Sequence, residues 1–223
     1  MNSATLVLFC RRPVFGVGKQ RLAADLGART ALALSELLLQ AALEDVRAWS
    51  DPVIISPAGA EDVDWVNGLP NIDCEVISQK SGNLGERISA VDALARARGH
   101  TCLLYMGSDA PILDQNYFKA ARDALQRFDI VLGPASDGGV TLMGGRRPWP
   151  VLSGLPWSSA DLAVTLEHAC TTNGLSVVTL AERYDIDLKR DLPRLYLDLV
   201  NDVRPARQRL KEWIDGQHLG PQQ

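Results

Sequence analysis

The sequence predicts an α/β protein, a mostly parallel sheet with helices on both faces, built as one domain. Three observations lead there. Short apolar runs such as Ala4-Thr5-Leu6-Val7-Leu8-Phe9-Cys10 and Thr101-Cys102-Leu103-Leu104-Tyr105-Met106 are continuous rather than alternating, as in strands buried on both faces. Stretches with apolar residues at helical spacing separate these runs, the pattern of a parallel sheet. No Gly/Ser-rich or Pro-rich linker divides the 223 residues, so residues 1–215 read as a single domain followed by a fraying polar tail, 216–223.

In chain order, the strand at residues 4–10 leads into a loop rich in glycine and basic residues. Leucines and alanines then recur at helical spacing over 29–49, before a strand at 52–56 closed by Pro57 and Gly59. A short acidic helix (61–67), a strand (74–77) and a helix entered through Gly82-Asn83 (84–98) follow. Beyond the strand at 101–106 come a helix at 115–127 and two strands at 130–133 and 140–143, the second antiparallel after Gly138-Gly139. A helix at 159–172, a strand at 175–180 and a helical remainder beyond Asp191 complete the chain.

Composition narrows the function. A formal charge of −4 and a pI near 5.4 give no basic field for nucleic acid, so any phosphate recognition is local. The chain shows no signal-peptide pattern and no apolar run near the ~20 residues of a membrane span, which predicts a cytoplasmic protein. The four cysteines lie far apart with no C-x-x-C pair, and read as buried reduced thiols. The three histidines, His100, His168 and His218, group with no acid or nucleophile in the sequence, and no G-x-G-x-x-G follows the first strand. A hydrolytic triad and a dinucleotide dehydrogenase both lack support.

The most informative stretch is Gly107-Ser108-Asp109-Ala110-Pro111, which ends an apolar strand and places a carboxylate at its carboxyl end. Open α/β sheets bind ligands there, and a carboxylate so placed suits Mg²⁺ or Mn²⁺ on a phosphorylated ligand. The alternative is that Asp109 caps the helix beginning near Asp114. In the first loop, Gly16 and Gly18 let backbone amides approach an anion, and Lys19 and Arg21 add positive charge; a solvated basic loop is the competing reading. Asp185-Ile186-Asp187 is a second carboxylate cluster beyond a strand, open to surface exposure or to a shared divalent cation. Asp137, in Gly133-Pro134-Ala135-Ser136-Asp137-Gly138-Gly139, is a turn residue or a catalytic group. Arg87, early in its helix, is placed to reach a phosphate or base, Ser158 or Ser159 reads as a helix cap, and so does Asp191.

Taken in order, these segments resemble a bacterial family of GT-A-like nucleotide-diphospho-sugar transferases, DUF2064. Arg12, Pro13, Gly16, Lys19, Arg21 and Leu22 fit its first loop, and Gly82-Asn83-Leu84-Gly85-Glu86-Arg87 its G-D-L-G-E-R-like segment. Gly107 to Pro111, Gly133 to Gly139, Trp157-Ser158-Ser159 and Asp185-Ile186-Asp187-Leu188 with Asp191-Leu192 supply four more ordered matches, spanning roughly residues 5–192. The resemblance implies a single-domain, Rossmann-like GT-A fold with a nucleotide donor, a small-molecule acceptor and Mg²⁺ or Mn²⁺. It implies metal binding by Asp109 and Asp187 and phosphate binding by Lys19 and Arg21. Arg12, Gly16, Gly18, Arg87 and Ser108 would complete the nucleotide site, with Asp137 as the candidate base. Glycosyl transfer is the implied chemistry; nucleotidyl transfer, as in the more distantly similar enzymes of molybdenum-cofactor, phospholactate and sugar-acid activation, is the alternative, and an inactive nucleotide-binding protein is a third. Gln20 stands where the family has Thr, Asn83 where it has an acid, and Val140-Thr141 where it has aromatic residues.

Overall fold

The computed structural model describes residues 3–221. Seven strands form one sheet: β1 (Thr5–Cys10), β2 (Val53–Pro57), β3 (Glu75–Val76), β4 (Leu103–Met106), β5 (Ile130–Pro134), β6 (Val140–Gly145) and β7 (Val177–Thr179). Their order is β3-β2-β1-β4-β6-β5-β7, and β6 alone runs antiparallel to its neighbours, β4 and β5. β1 pairs in parallel with both β2 and β4, so the chain order reverses at the middle of the sheet. The carboxyl ends of β1 and β4 flank that switch point, where a crevice opens in folds of this kind.

Among the described residues there are eight α-helices: α1 (Gln20–Leu26), α2 (Ala28–Ala48), α3 (Val63–Asn67), α4 (Leu84–Ala97), α5 (Gln115–Ala124), α6 (Leu162–Thr172), α7 (Leu192–Asp198) and α8 (Pro205–Gly216). One buried cluster packs α2, α3 and α5 on one face through Leu6, Leu8, Leu43, Phe118 and Val131. A second packs α4 and α6 on the other face through Val7, Ile54, Val91, Tyr105 and Leu166. A third cluster joins α1, α2, α7 and α8 to Tyr184 and Ile186, and so underlies the Asp185-Ile186-Asp187 segment.

The structure refines the sequence reading at four places. α1 was read as loop; it is only seven residues long and buries just Leu22, too little to set up a helical period. The C-terminal remainder is two helices, with Pro205 opening the second. α6 starts at Leu162 with Asp161 in the capping position: Ser159 Oγ donates to the Pro156 carbonyl and accepts the Asp161 N–H at 3.3 Å in the turn before the helix, and Ser158 sits at φ +66°. Of the tail, Leu219 packs against the third cluster, while residues 222–223 lie outside the described residues.

Candidate active site

A cleft of about 610 Å³ opens at the switch point, lined by the loops after β1 and β4, by α4, by β6 and by the 185–187 segment. The loop after β1 turns back through a Val17 N–H bond to the Val14 carbonyl, with Gly16 and Gly18 both at φ +76°. Lys19 follows in the left-handed region (φ 42°, ψ 42°) as the residue that starts α1. A lysine is seldom found there, and such strained residues cluster at functional sites.

The Lys19 ammonium reaches into the cleft and donates to Asp187 Oδ1 at 2.7 Å, Asp109 Oδ2 at 3.1 Å and the Ile186 carbonyl at 2.6 Å. Burial alone would lower its pKa; Asp109 and Asp187 outweigh that and hold it above the ordinary lysine value. Asp109 is therefore not a helix cap: that role falls to Asp114, whose Oδ1 accepts from the Tyr117 N–H. A Cβ at 107 would lie 2.7 Å from Asp109 Oδ1, so any larger residue there would displace that carboxylate.

Burial alternates along the second acidic segment. Tyr184 and Ile186 are buried in the third cluster, which turns Asp185 and Asp187 together toward the cleft. The Ile186 N–H donates to the Asp109 carbonyl over 2.8 Å, bringing the two segments into register. Asp109, Asp185 and Asp187 consequently present carboxylate oxygens that all lie within 4.8 Å of one another. Burial first, then the charges of Asp109, Asp187 and Asp137, push the Asp185 carboxyl up to about 7. Asp191 does not cap α7 with its side chain; it turns back and accepts the Asp187 and Leu188 N–H groups at 3.0 and 2.7 Å.

The other sequence candidates divide. Arg12, Gly18, Arg21, Arg87 and Ser108 line the cleft with Lys19, Asp109 and Asp187. Gly16 stands at the hairpin tip and is not among the lining residues. Asp137 is exposed, accepts the Gly139 N–H within its own turn, and also does not line the cleft. Sequence reasoning missed Gln79, Tyr105 and Trp157 in the walls and left Asp185 undecided. Gln79 is buried, donates to the Ser56 carbonyl and accepts from Arg87 Nη1 at 3.0 Å. Among the described residues Arg87 Nε is buried without a partner, and burial together with nearby Arg11 lowers the pKa of its guanidinium. Gly85 admits Trp157, since a Cβ there would meet its Nε1 at 2.5 Å and the Leu152 carbonyl at 2.3 Å.

Two departures from the family pattern have local work. Gln20 donates to the Gly16 and Gly18 carbonyls, a reach threonine lacks, and so fastens the first loop. Asn83 forms a capping box with Glu86 and donates from Nδ2 to the Ser153 carbonyl, a bond an ionised acid cannot make. Val140 and Thr141 line the cleft, and Thr141 Oγ1 donates to the Gly133 carbonyl. One expectation about histidine needs correction: His100 does meet an acid, with Nε2 2.8 Å from Glu75 Oε1 and Nδ1 2.8 Å from Thr5 Oγ1. That chain lies at the amino ends of β1 and β3, away from the cleft, and Thr5 is buried. All four cysteines are free; Cys10 and Cys170 are buried, and burial pushes the Cys10 thiol up to about 12.

Residues 38–159 match the family described as an uncharacterized protein conserved in bacteria, DUF2064. The chain belongs to that family. Among solved structures, this DUF2064 protein is similar to a candidate nucleotide-diphospho-sugar transferase from Desulfovibrio desulfuricans G20, with 24% identity, a TM-score of 0.88 and full coverage of both chains. It is more loosely similar to a cytidylyltransferase from Leptospira borgpetersenii (12% identity, TM-score 0.56, 99% of this chain and 98% of that one). A CMP:2-keto-3-deoxy-manno-octonic acid synthetase complexed with CTP gives 14% identity and a TM-score of 0.51 over 87% of this chain and 97% of the other. At these identities the likeness is one of fold, that of the nucleotide-diphospho-sugar transferases. No curated protein matches the DUF2064 chain. Among the described residues no helix is long and apolar enough to cross a membrane.

Proposed function

We propose that this protein is a divalent-cation-dependent transferase that takes a nucleotide-activated donor and passes one part of it to a small-molecule acceptor. The observation that carries the reading is the convergence of Asp109, Asp185, Asp187 and Lys19 in a cleft at the sheet's switch point. Three hard carboxylate donors suit Mg²⁺ or Mn²⁺, which keep open positions for phosphate oxygens, and a bound cation would favour the ionised form of Asp185. When bound, the cation would supply neutralisation of charge on the donor's phosphates. Asp109 and Asp187 are its proposed holders, with Asp185 beside them. Lys19 and Arg21 would stabilise the departing phosphates, Lys19 as a compact charge and Arg21 as a two-pronged donor.

Arg12, Gly18, Arg87 and Ser108 would shape the nucleotide site, with Gln79 fixing the direction of the Arg87 guanidinium. Gly16 would act through the geometry of the loop. Asp137, outside the cleft wall, would act through its charge on Asp185 rather than by taking a proton from the acceptor. The similarity to a candidate nucleotide-diphospho-sugar transferase supports glycosyl transfer, in which a nucleoside diphosphate leaves as the acceptor attacks the sugar's anomeric carbon.

A specific observation favours a second reading, nucleotidyl transfer. The carboxylates come from two separate strand ends rather than from one D-x-D after the central strand, and the looser structural relatives include a cytidylyltransferase. In that chemistry a phosphorylated substrate attacks the α-phosphorus of a nucleoside triphosphate and pyrophosphate leaves. Incubation with a panel of nucleoside triphosphates and sugar nucleotides, with Mn²⁺ and mixed acceptors, separates them. Nucleoside diphosphate released from a sugar nucleotide supports glycosyl transfer, and pyrophosphate released from a triphosphate supports nucleotidyl transfer. Binding of a nucleotide without either product would make the protein an inactive binder and overturn the enzymatic reading.

A further inference from the structure

Lys19 occupies the ground that a divalent cation would need. Its ammonium has three N–H donors and no more, and all three are engaged, by Asp109, by Asp187 and by the Ile186 carbonyl. None is left for a phosphate. The two carboxylates it grips are the two proposed metal holders, and a Mg²⁺-like ion bonding them at about 2.0–2.1 Å would compete for the same lone pairs. Two cations crowded onto one pair of carboxylates would also repel each other.

The lysine is nevertheless built to move. It sits on a flexible four-carbon stem directly after Gly18, at the end of a glycine-containing hairpin, and its side chain retains 18% exposure toward the cleft. Asp185, the third carboxylate of the group, carries no bond from Lys19 and gives an incoming ion a first foothold.

Resting on the proposed cation-dependent reading, we propose that Lys19 is the resident cation of this acidic site and exchanges with the divalent ion: loading the ion releases the Lys19 ammonium to the donor's phosphates. Lys19 is then a switch between two sets of partners. Without the ion it closes the acidic site and is unavailable to ligand. With the ion it becomes the charge that meets the phosphates. Ion and nucleotide binding therefore reinforce each other, and by linkage each raises the affinity of the other equally.

Binding of Mn²⁺ alone, followed by electron paramagnetic resonance without any nucleotide, tests this. Lys19→Ala should bind Mn²⁺ about tenfold tighter or more, the change expected when competing charge-assisted hydrogen bonds are lost. Lys119→Ala, which removes the same charge from an exposed pair with Asp123, should stay within about twofold of wild type. Asp109→Ala should lose the Mn²⁺ site. Unchanged or weaker binding by Lys19→Ala, with Asp109→Ala still defective, overturns the exchange and leaves the cation site standing. Absence of Mn²⁺ binding in both wild type and Lys19→Ala overturns the cation reading and the exchange with it. A readout on the unaltered protein guards against a folding defect in the variant: the ¹⁵N resonance of the Lys19 ammonium should shift as Mg²⁺ is titrated in. A resonance that stays put at saturating Mg²⁺ contradicts the exchange.

Discussion

The backbone N–H of Ile186 donates to the carbonyl of Asp109 over 2.8 Å, and this bond joins the loop after β4 to the segment that carries Asp185 and Asp187. Neither segment is a complete site alone. The bond aligns them, and the burial of Ile186 between its two acidic neighbours fixes which way both carboxylates face. The chemistry proposed for the cleft therefore rests on packing by the C-terminal helices as much as on the acidic residues themselves.

Asp191 holds the same segment from the other side, accepting the Asp187 and Leu188 amides. Replacing it with alanine removes the Oδ2 that accepts both bonds and frees the Asp187 backbone. Mn²⁺ affinity should fall about 10- to 100-fold, the usual cost of losing a residue that orients a metal ligand. Calorimetric titration of the variant with Mn²⁺ checks this, and an unchanged affinity would show that Asp187 needs no such support.

Asp185 trades stability for its place in the site. Its folded pKa, pushed up to about 7, lies above the unfolded value of 3.8, so the folded form gains no penalty below the unfolded value. As pH rises from there through the folded pKa, the unfolded chain ionises first and stability is lost. Asp185→Asn removes that loss: the melting temperature without ligand should rise relative to wild type at pH 8 and match it near pH 3.5. A variant that melts lower than wild type at pH 8 would show that the Asp185 charge is stabilised by contacts rather than opposed by its neighbours.

Gly85→Ala tests the wall formed by Trp157. The added methyl meets the Leu152 carbonyl and the indole nitrogen at distances no relaxed Cβ tolerates, so α4 or the indole must shift. A loss of about 1–3 kcal/mol is expected from overpacking, with weaker nucleotide binding as the cleft deforms. Denaturant unfolding and nucleotide titration measure the two effects. Full retention of both would place Trp157 on a freely adjustable loop.

Arg207 is fully buried and ties α8 to the loop that carries Asp109. It donates to the Pro111 carbonyl at 3.1 Å and to Glu44 at 3.0 Å, and also bonds the Ala41 carbonyl and Asp45. Asp45 retains Arg204 at 3.0 Å when Arg207 is removed. Arg207→Ala should cost about 3 kcal/mol or more, because several buried acceptors lose their donor. For a chain of this size each kcal/mol lowers the melting temperature by about 2–4 °C. Arg207→Lys should recover little of it, since one ammonium cannot span four acceptors.

The sheet and the order of its elements were legible because β1, β2, β4 and β5 are short continuous apolar runs, β1 stopping at Arg11-Arg12 and the others at Pro57, Gly107 and Gly133-Pro134. Asp109 and Lys19 could each be singled out, as residues of the right chemistry at the carboxyl ends of strands. Their partnership was not legible, because the contacts join residues 90 and 168 positions apart and local pattern carries no information about them. The same distance hid Asp185, which an alternating segment shows as surface or site with equal force until the third cluster assigns its faces. α1 was lost to its shortness, and Asp191 to a rule that expects a side chain to cap the helix ahead of it rather than the turn behind.

The most direct test of the account is thermal unfolding of wild type and Asp109→Ala against nucleoside triphosphates and sugar nucleotides, each with and without Mn²⁺. A ligand at 100 times its dissociation constant should stabilise the wild-type fold by about 2.7 kcal/mol. At least one nucleotide should stabilise the wild type in a way that depends on Mn²⁺ and disappears in Asp109→Ala. No stabilisation by any nucleotide, or equal stabilisation of the variant, would contradict it.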